Sequence, residues 1–259
     1  MTTFPADTAL PARVHPSPNH GDRRGRAVRF LVLHYTGMPS AAGARARLCD
    51  PAAEVSSHYL VDEAGGIDQL VPEARRAWHA GRSCWRGERD LNSTSIGVEI
   101  ANGGHDGGLP PFPEAQIAAV TALCRDIMAR WRMAPEDVLA HSDIAPDRKA
   151  DPGERFPWAR LARDGIGVWP GERPAAPGPR LGFGSCGGRI AALQSALGRW
   201  GFDLNPSGVF DKPTLQASRA FQRRFRPACV DGIADGETRA RLEALLHDLG
   251  DRSHVDEKA

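Results

Sequence analysis

The sequence predicts an α/β protein in which a mixed central β-sheet with flanking helices is followed by a small three-helix C-terminal domain. Three observations lead to this fold class. Apolar runs with the length of strands alternate with helical patterns between residues 27 and 163. A stretch dense in proline and glycine follows at residues 164–184 and can hold no regular element for long. Beyond it, three segments repeat apolar residues at helical spacing.

Five apolar segments account for the predicted sheet. The run V-R-F-L-V-L-H-Y at 28–35 is nearly continuous in apolar residues, which is typical of a central strand covered on both faces. Segments 57–62 and 67–71 are predicted to form a β-hairpin, because the glycines of E-A-G-G between them can adopt the positive φ angles of a tight turn. Segment 94–101 alternates apolar and polar residues, and 138–141 is a last short strand.

The predicted helices flank these strands and fill the C-terminal domain. They cover 40–48, a segment that starts at Pro113 and has one apolar face, 157–163, 189–200, 212–225 and 236–249. The last two follow copies of the pattern G-[VI]-x-D-x-x-T, which begin at Gly208 and Gly232 and form a short internal repeat. In each copy the aspartate, Asp211 or Asp235, is predicted to cap the next helix, because its carboxylate can accept the free amides of the first turn.

These patterns divide the chain into segments. We predict an irregular N-terminal arm at 1–26, the α/β domain at 27–163, a flexible Pro/Gly-rich linker at 164–184, the three-helix domain at 185–250 and a polar, disordered tail at 251–259. A helical module of that size can fold alone, although marginally.

Composition and charge argue against several classes of partner. The formal net charge is only +1, so no bulk field favours nucleic acid or an anionic membrane. No segment approaches the roughly 18 apolar residues of a membrane span, and the N terminus shows no secretory-signal pattern, which favours the cytoplasm. The five cysteines are widely spaced without a C-x-x-C pair and indicate neither a disulfide framework nor a cysteine zinc site. The sequence does not indicate an oligomeric state.

Candidate metal ligands stand where two of the predicted strands end. His34 closes the first strand, and His141 closes the last one and opens the loop H-S-D-I-A-P-D-R-K-A-D-P, which contains Asp151. Each histidine alone is more often a hydrogen-bonded core residue than a ligand. Together with Asp151 they form a set that suits Zn²⁺ and leaves a fourth position open, the layout of a catalytic rather than a structural zinc. The ion would make hydroxide available near neutral pH and polarise a carbonyl.

Two further charged residues complete the predicted chemistry, a metal-assisted hydrolysis. Glu99 alternates onto the strand face opposite three apolar residues and is assigned as the general base, although a solvent-facing carboxylate would show the same pattern. Lys149, two residues before Asp151, is assigned to stabilise the oxyanion, although a solvated surface lysine is the alternative.

Five motifs resemble, in their order and spacing, the zinc-dependent N-acetylmuramoyl-L-alanine amidases of the amidase-2 (AmpD/AmiD-like) family, whose fold peptidoglycan-recognition proteins share. The motifs are L-H-Y-T, S-S-H-Y-L-V, R-A-W-H-A-G, N-S-T-S-I-G-V-E-I and H-S-D-I-A-P-D-R-K-A-D-P-G, between residues 27 and 161. The resemblance implies zinc binding by His34, His141 and Asp151, general-base action by Glu99, and stabilisation of the tetrahedral intermediate by Lys149.

The resemblance also implies a substrate site. Arg148 would contact a peptide or lactyl carboxylate, for which a planar guanidinium is suited, and Trp78 and His79 would line the groove for the sugar and the stem peptide. His58 matches a position that is usually structural and is left out of the metal set, and His105 is expected to be merely exposed.

The reaction implied is zinc-assisted hydrolysis of the amide between the lactyl group of N-acetylmuramic acid and L-alanine, in peptidoglycan or muropeptides. Asp151, where some relatives carry cysteine, points to the bacterial branch of the family. The C-terminal patterns L-Q-x-x-L, A-F-Q and G-x-x-D-x-x-T are similar to the three-helix peptidoglycan-binding domain. Such a domain favours association with the cell wall, whereas the missing signal pattern favours the cytoplasm, and the sequence leaves both locations open. The main alternative function is a peptidoglycan-recognition protein that binds without cutting, and a structural zinc protein is a second one.

Overall fold

The computed structural model describes residues 4–171 and 173–256 and confirms the predicted α/β class. Its strands are β1 (Ala12–Val14), β2 (His20–Gly21), β3 (Phe30–Tyr35), β4 (Tyr59–Val61), β5 (Ile67–Gln69), β6 (Arg76–Ala77), β7 (Ser95–Ile100) and β8 (Val138–Ala140). Its helices are α1 (Ala41–Leu48), α2 (Leu91–Thr94), α3 (Glu114–Trp131), α4 (His141–Ile144), α5 (Trp158–Arg163), α6 (Gly188–Trp200), α7 (Lys212–Phe225) and α8 (Gly236–Asp256). All the predicted strands and helices are present, with small shifts at their ends except in α8.

A six-stranded sheet in the order β1-β5-β4-β7-β3-β8 forms the centre of the fold. Strands β4, β7, β3 and β8 run parallel to one another, and β4 and β5 form the predicted antiparallel hairpin. In the register of β3 against β7, His34 lies beside Glu99, and β8 ends at Ala140, directly before His141. The carboxyl ends of three parallel strands therefore bring predicted site residues to one edge of the sheet, where ligands bind in open α/β folds.

The two faces of β3 pack against different parts of the chain. Leu31 and Leu33 belong to a buried cluster that contains the apolar face of α3. Phe30 and Val32 belong to a second cluster, which contains apolar side chains of α6, α7 and α8, here called the C-terminal helices. Because side chains alternate along a strand, His34 lies on the same face as Phe30 and Val32. The C-terminal helices thus pack on the sheet face that carries this predicted ligand.

The stretch at 164–184, predicted to be a flexible linker, contains residues that are buried in the structure. Its described residues form no helix or strand, as their proline and glycine content indicates. Ile166, Val168 and Leu181 are nevertheless buried, and Leu181 forms an isolated β-bridge with Ala234. Proline and glycine interrupt regular hydrogen bonding but do not prevent burial. The sheet and the C-terminal helices share one hydrophobic cluster, so these two parts pack against each other, and the flexibility of the segment between them stays a prediction.

Both ends of the chain contain more regular structure than predicted. In the arm predicted to be irregular, β1 pairs with β5 at the edge of the main sheet, and β2 pairs with β6 in a two-stranded ribbon. These strands are only three and two residues long, too short for a periodic pattern to indicate them. At the other end α8 continues through Asp256, so that part of the predicted disordered tail is helical. Residues 257–259 of the tail lie outside the described residues.

The internal repeat forms two matching hydrogen-bond units. In each copy the aspartate accepts the backbone amide of the threonine three residues later at 3.0 Å, which confirms the predicted helix caps. A buried glutamine of the preceding helix, Gln194 or Gln222, accepts the amide of the first glycine of the copy, Gly208 or Gly232. Each glutamine also donates to a backbone carbonyl within its copy. The L-Q and F-Q motifs and the G-x-x-D-x-x-T pattern therefore form a single structural unit, which occurs twice.

Membrane and disulfide predictions can be compared directly with the structure. Across 4–171 and 173–256, no helix combines the length and the apolar character that crossing a membrane requires. All five cysteines are free, as predicted.

Candidate active site

The three predicted metal ligands converge at the carboxyl edge of the sheet. His34 lies in β3, His141 begins α4, and Asp151 follows in the loop after α4; all three side chains are buried. His34 Nδ1 lies 2.8 Å from His141 Nδ1 and 3.0 Å from Asp151 Oδ2, and His141 Nδ1 lies 2.9 Å from the same oxygen. The structure therefore brings together side chains that are far apart in the sequence, in a cluster that could hold a metal ion.

A backbone carbonyl fixes the tautomer of His141. Its Nε2 lies 3.2 Å from the oxygen of Ala80, which can only accept a hydrogen bond. Nε2 therefore carries the proton and donates it to Ala80. The other ring nitrogen, Nδ1, faces His34 and Asp151 and is the atom that can bind a metal ion.

A longer chain of hydrogen bonds fixes the tautomer of His34. The Ser95 hydroxyl donates to the carbonyl of Leu91, so its oxygen accepts from His79 Nε2 at 3.2 Å. His79 Nδ1 then accepts from His34 Nε2 at 3.0 Å, which leaves a lone pair on His34 Nδ1. Burial lowers the pKa of His34 to about 4, an effect that His141 reinforces. Burial and the nearby His34 also lower the pKa of His79, so both rings stay neutral.

Three atoms that can donate electron pairs thus face one another, an arrangement that a cation stabilises. Zinc bonds to nitrogen and oxygen are roughly 2.0–2.1 Å long, so tetrahedral ligand atoms lie about 3.3 Å apart. The distances of 2.8–3.0 Å found here are only a few tenths of an ångström shorter. The donor set and its size both fit a zinc ion.

Glu99 approaches the ligands from the neighbouring strand. Its side chain is only partly exposed, and Oε2 is enclosed without a hydrogen-bond partner among the described residues. Burial raises the pKa of Glu99 well above its ordinary value, the charge of Asp151 raises it further, and Lys149 opposes them. The alternative of a solvent-facing carboxylate does not hold. A carboxyl group with a raised pKa and an unpaired oxygen is suited to proton transfer.

A cavity of about 330 Å³ opens over these groups. Its lining combines aromatic, apolar and charged side chains, among them Tyr35, Met38, Arg47, Leu48, Val55, Trp78, His79, Glu99 and Lys149. Trp78 and His79 both line this cavity, and their contact with the sugar and the stem peptide stays a prediction. Both nitrogens of His79, however, are engaged by His34 and Ser95, so this ring presents only carbon atoms to the cavity.

Arg148 makes contacts that its predicted role does not include. Its guanidinium donates to the carbonyls of Ala80 and Arg82, at 2.9 Å for the Nε bond to Arg82. Among the described residues it is absent from the cavity lining. Its contact with substrate stays a prediction. The structure instead shows it bound to the turn whose Ala80 carbonyl accepts from His141.

Sequence reasoning missed Gly97, which makes room for His79. A Cβ atom at Gly97 would lie 2.4 Å from Cγ of the His79 ring, closer than any real contact. Ser95, Gly97 and Glu99 share one face of β7, because side chains alternate along a strand. The same alternation that selected Glu99 could have selected Ser95, and a glycine inside a strand often marks a close approach of another group.

The two histidines set aside from the metal site lie outside the metal-ligand cluster. Gly97 donates its amide to His58 Nδ1 at 2.9 Å, so His58 Nε2 carries the proton and donates to the carbonyl of Arg75 at 3.0 Å. His58 is therefore a buried structural residue. His105 is exposed and contacts the Tyr35 hydroxyl at 2.9 Å.

Comparison with protein families assigns both parts of the chain. Residues 24–154 match the family described as N-acetylmuramoyl-L-alanine amidase, and residues 186–242 match the family described as putative peptidoglycan binding domain. The chain is 42% identical over 241 residues to N-acetylmuramoyl-L-alanine amidase AmiD of Escherichia coli (strain K12), which covers 86% of this chain and 84% of that protein. This chain belongs to the N-acetylmuramoyl-L-alanine amidase family. The match to this family confirms the enzyme class that the sequence motifs predicted.

Solved structures of relatives resemble the amidase in both of its parts. The complex of E. coli AmiD with anhydro-N-acetylmuramic acid-L-Ala-D-gamma-Glu-L-Lys has a TM-score of 0.73 and 40% identity, over 91% of this chain and 93% of that one. AmpDh3 from Pseudomonas aeruginosa has a TM-score of 0.72 and 34% identity, over 96% and 99% of the two chains. A further relative, found by sequence, is the 1,6-anhydro-N-acetylmuramyl-L-alanine amidase AmpD of Enterobacter cloacae. It is 32% identical over 58% of this chain and 88% of its own length.

Proposed function

We propose that this amidase is a zinc enzyme that hydrolyses the amide between the lactyl group of N-acetylmuramic acid and L-alanine of the stem peptide. The observation that carries the proposal is the set of three facing electron-pair donors, His34 Nδ1, His141 Nδ1 and Asp151 Oδ2, within 3.0 Å of one another. Two imidazoles and one carboxylate leave a coordination position for water or substrate, as catalytic zinc sites do.

Bound zinc would polarise the scissile carbonyl and lower the pKa of water. The residues of the chain supply the remaining steps. Glu99 accepts the proton of the attacking water and later donates it to the amine of the leaving L-alanine. Burial raises its pKa above the ordinary value of a glutamate, and a carboxyl group with a raised pKa exchanges protons more efficiently near neutral pH. Lys149, which lines the same cavity, stabilises the negative charge on the tetrahedral oxygen.

The relatives suggest the substrate class. AmiD and AmpDh3 have been solved with anhydromuramic peptides, and we propose that this amidase takes such muropeptides in the cavity over Glu99. Trp78 and the apolar side chains of the lining offer a surface for the sugar and the peptide. The match of residues 186–242 to a putative peptidoglycan binding domain supports peptidoglycan itself as a second substrate.

The test is zinc content together with release of stem peptide from a purified anhydromuropeptide, for wild type and for Glu99→Gln. We expect Glu99→Gln to keep stoichiometric zinc and to lose about 10²- to 10⁴-fold in kcat, because only the proton-transfer group has changed. Glu54→Gln, which changes an exposed glutamate, serves as the control and should keep full activity. Wild type that binds zinc and muropeptide but never cuts would identify the recognition protein instead.

A further inference from the structure

Helix α7 lies alongside the loop that carries two of the three metal ligands, residues 141–154. Gln216 donates to the carbonyl of Asp147 at 3.5 Å, and Arg223 lies 3.7 Å from the Glu154 carboxylate. The most deeply buried of these contacts is made by Arg224, whose side chain is fully enclosed. The loop that holds His141 and Asp151 is therefore packed against the C-terminal helices along its length.

Arg224 bonds to two points of the loop region. Its Nη1 donates to Asp143 Oδ2 at 2.6 Å, and its Nη2 donates to the carbonyl of Val138 in β8 at 2.9 Å. The guanidinium stacks on Trp158, with 4.2 Å between its central carbon and the ring centroid. Both members of the ion pair have no exposed side-chain surface. A cation enclosed in this way is held in one place by its partners.

Asp143 passes this contact on to His141. The oxygen that receives Arg224 also accepts the backbone amide of Ala140 at 2.9 Å, the residue directly before His141. Arg224 and Asp143 thus bind the chain at Val138, Ala140 and Asp143, on both sides of the ligand. None of these bonds involves the ring of His141, so their effect is on the backbone that aims it.

We propose that Arg224 of the C-terminal helices is a positioning residue for the metal ligand His141, so that the peptidoglycan-binding part of the chain completes the active site. The proposal rests on the zinc amidase function proposed above. It assigns the C-terminal helices a role in the cutting of small soluble muropeptides, for which attachment to the wall is irrelevant.

Removal of Arg224 leaves a buried carboxylate without a cation. An uncompensated charge in a closed site is strongly unfavourable, and movement of Asp143 toward water relieves it. Asp143 is two residues from His141 and accepts the backbone amide of Ala140, the residue before His141. Movement of Asp143 therefore shifts His141 Nδ1, the atom that binds the metal. Partners of this kind change metal affinity without touching the ion.

The experiment compares Arg224→Met with Arg226→Met in the full chain. Arg226 is a matched control, because it is also buried in the C-terminal part but pairs with Asp235 at 2.5 Å and Glu237 at 3.0 Å, away from the metal loop. We expect Arg224→Met to weaken zinc binding by roughly tenfold in competition with a chromophoric chelator. The visible spectrum of the cobalt-substituted protein should change, and kcat on an anhydromuropeptide should fall more than KM rises. Arg226→Met should lower Tm but leave these three readouts unchanged.

Arg224→Lys keeps the positive charge but has a single donor nitrogen. It replaces the methionine variant in the experiment if that variant does not fold. It should restore a large part of the zinc affinity and the wild-type cobalt spectrum. Equal zinc affinity and cobalt spectra in wild type and Arg224→Met would overturn the inference, as would equal losses in Arg224→Met and Arg226→Met. Wild type that binds no zinc would overturn the proposed function and this inference together, whereas zinc-loaded wild type with an unaltered Arg224→Met overturns the inference alone.

Discussion

The two histidines of the metal site are held by different parts of the chain. His34 lies in β3, which has paired strands on both sides, and its outer nitrogen is bound through His79 to Ser95. All of these residues belong to the sheet or to the loop beside it. His141 follows the edge strand β8, and the nearest fixed group in its loop, Asp143, pairs with Arg224, 81 positions away in the sequence.

This difference separates two ways of fixing a ligand. Strand pairing sets the position of His34 along β3 and the sheet face on which its side chain lies. A chain of hydrogen bonds between neutral groups then sets its tautomer. His141 has one hydrogen bond of its own, to Ala80, and depends on the packing of a loop. We therefore expect changes near His34 to alter zinc affinity with little effect on the C-terminal helices. Changes near His141 should couple zinc affinity to the packing of those helices.

The largest effect on the His34 side is expected from His79→Ala. The variant removes the acceptor of His34 Nε2, so neither the ring orientation nor the tautomer is fixed. Zinc affinity should fall by about 10- to 100-fold, which corresponds to about 1.4–2.7 kcal/mol. Chelator competition at neutral pH measures it. His58→Ala is the matched control, because it removes another buried histidine, which contacts Gly97, Arg75 and Arg23 rather than a ligand. Equal losses of zinc affinity in the two variants would contradict the special role of His79.

Acidification should lower the free energy of unfolding of the metal-free protein, because buried histidines around His34 must stay neutral in the folded state. Burial lowers the pKa of His34 to about 4 and that of His58 to about 3, below the ordinary value of about 6.5. The unfolded chain therefore binds protons that the folded chain excludes, so stability is complete above pH 6.5 and is lost as pH falls toward 4. At pH 5 the loss is about 2 kcal/mol for each histidine. Urea unfolding at pH 7 and pH 5 measures it, and His58→Gln should remove the share of one histidine, about 2 kcal/mol, from the difference. Equal stability at the two pH values would rule out buried neutral rings.

Much of the fold and the centre of the site were predictable because they depend on local patterns. The apolar run before His34, the alternation around Glu99 and the short strand before His141 place these residues at strand ends. Parallel strands that neighbour one another then bring their ends together. The repeat with Asp211 and Asp235 was predictable for the same reason, since a capping carboxylate acts on the helix that directly follows it.

The features that sequence reasoning missed depend on contacts between distant segments. Hydrophobic spacing showed that α7 has an apolar face, but it could not show that Arg224 beside that face enters the core and meets Asp143. The sequence alone does not distinguish a buried arginine from an exposed one. The strand β1 was missed because its three residues gain their structure from pairing with β5. The burial of Ile166, Val168 and Leu181 was missed because amino-acid composition indicates the flexibility of an isolated segment and does not show which surfaces the segment contacts in the folded protein.

Gly97→Ala is the mildest disturbance and tests the His34 side through a single methyl group. The new Cβ would lie 2.4 Å from the His79 ring, which must move away from His34. We expect zinc affinity to fall by about tenfold, at the lower end of the His79→Ala effect. Gly198→Ala in α6 is the control, because a Cβ there meets nothing within 4 Å and should only stabilise the helix, by about 0.5–1 kcal/mol.

The double variant His79→Ala/Gly97→Ala decides whether the glycine acts through the histidine. If its role is to leave space for the His79 ring, removal of that ring also removes the collision. Gly97→Ala should then cost no further zinc affinity in the His79→Ala background, although it costs about tenfold in wild type. Additive losses would mean that the methyl group disturbs β7 itself and reaches the metal through Glu99, which lies two residues further along the same face. The His34 side would then depend on the strand backbone rather than on a chain of three side chains.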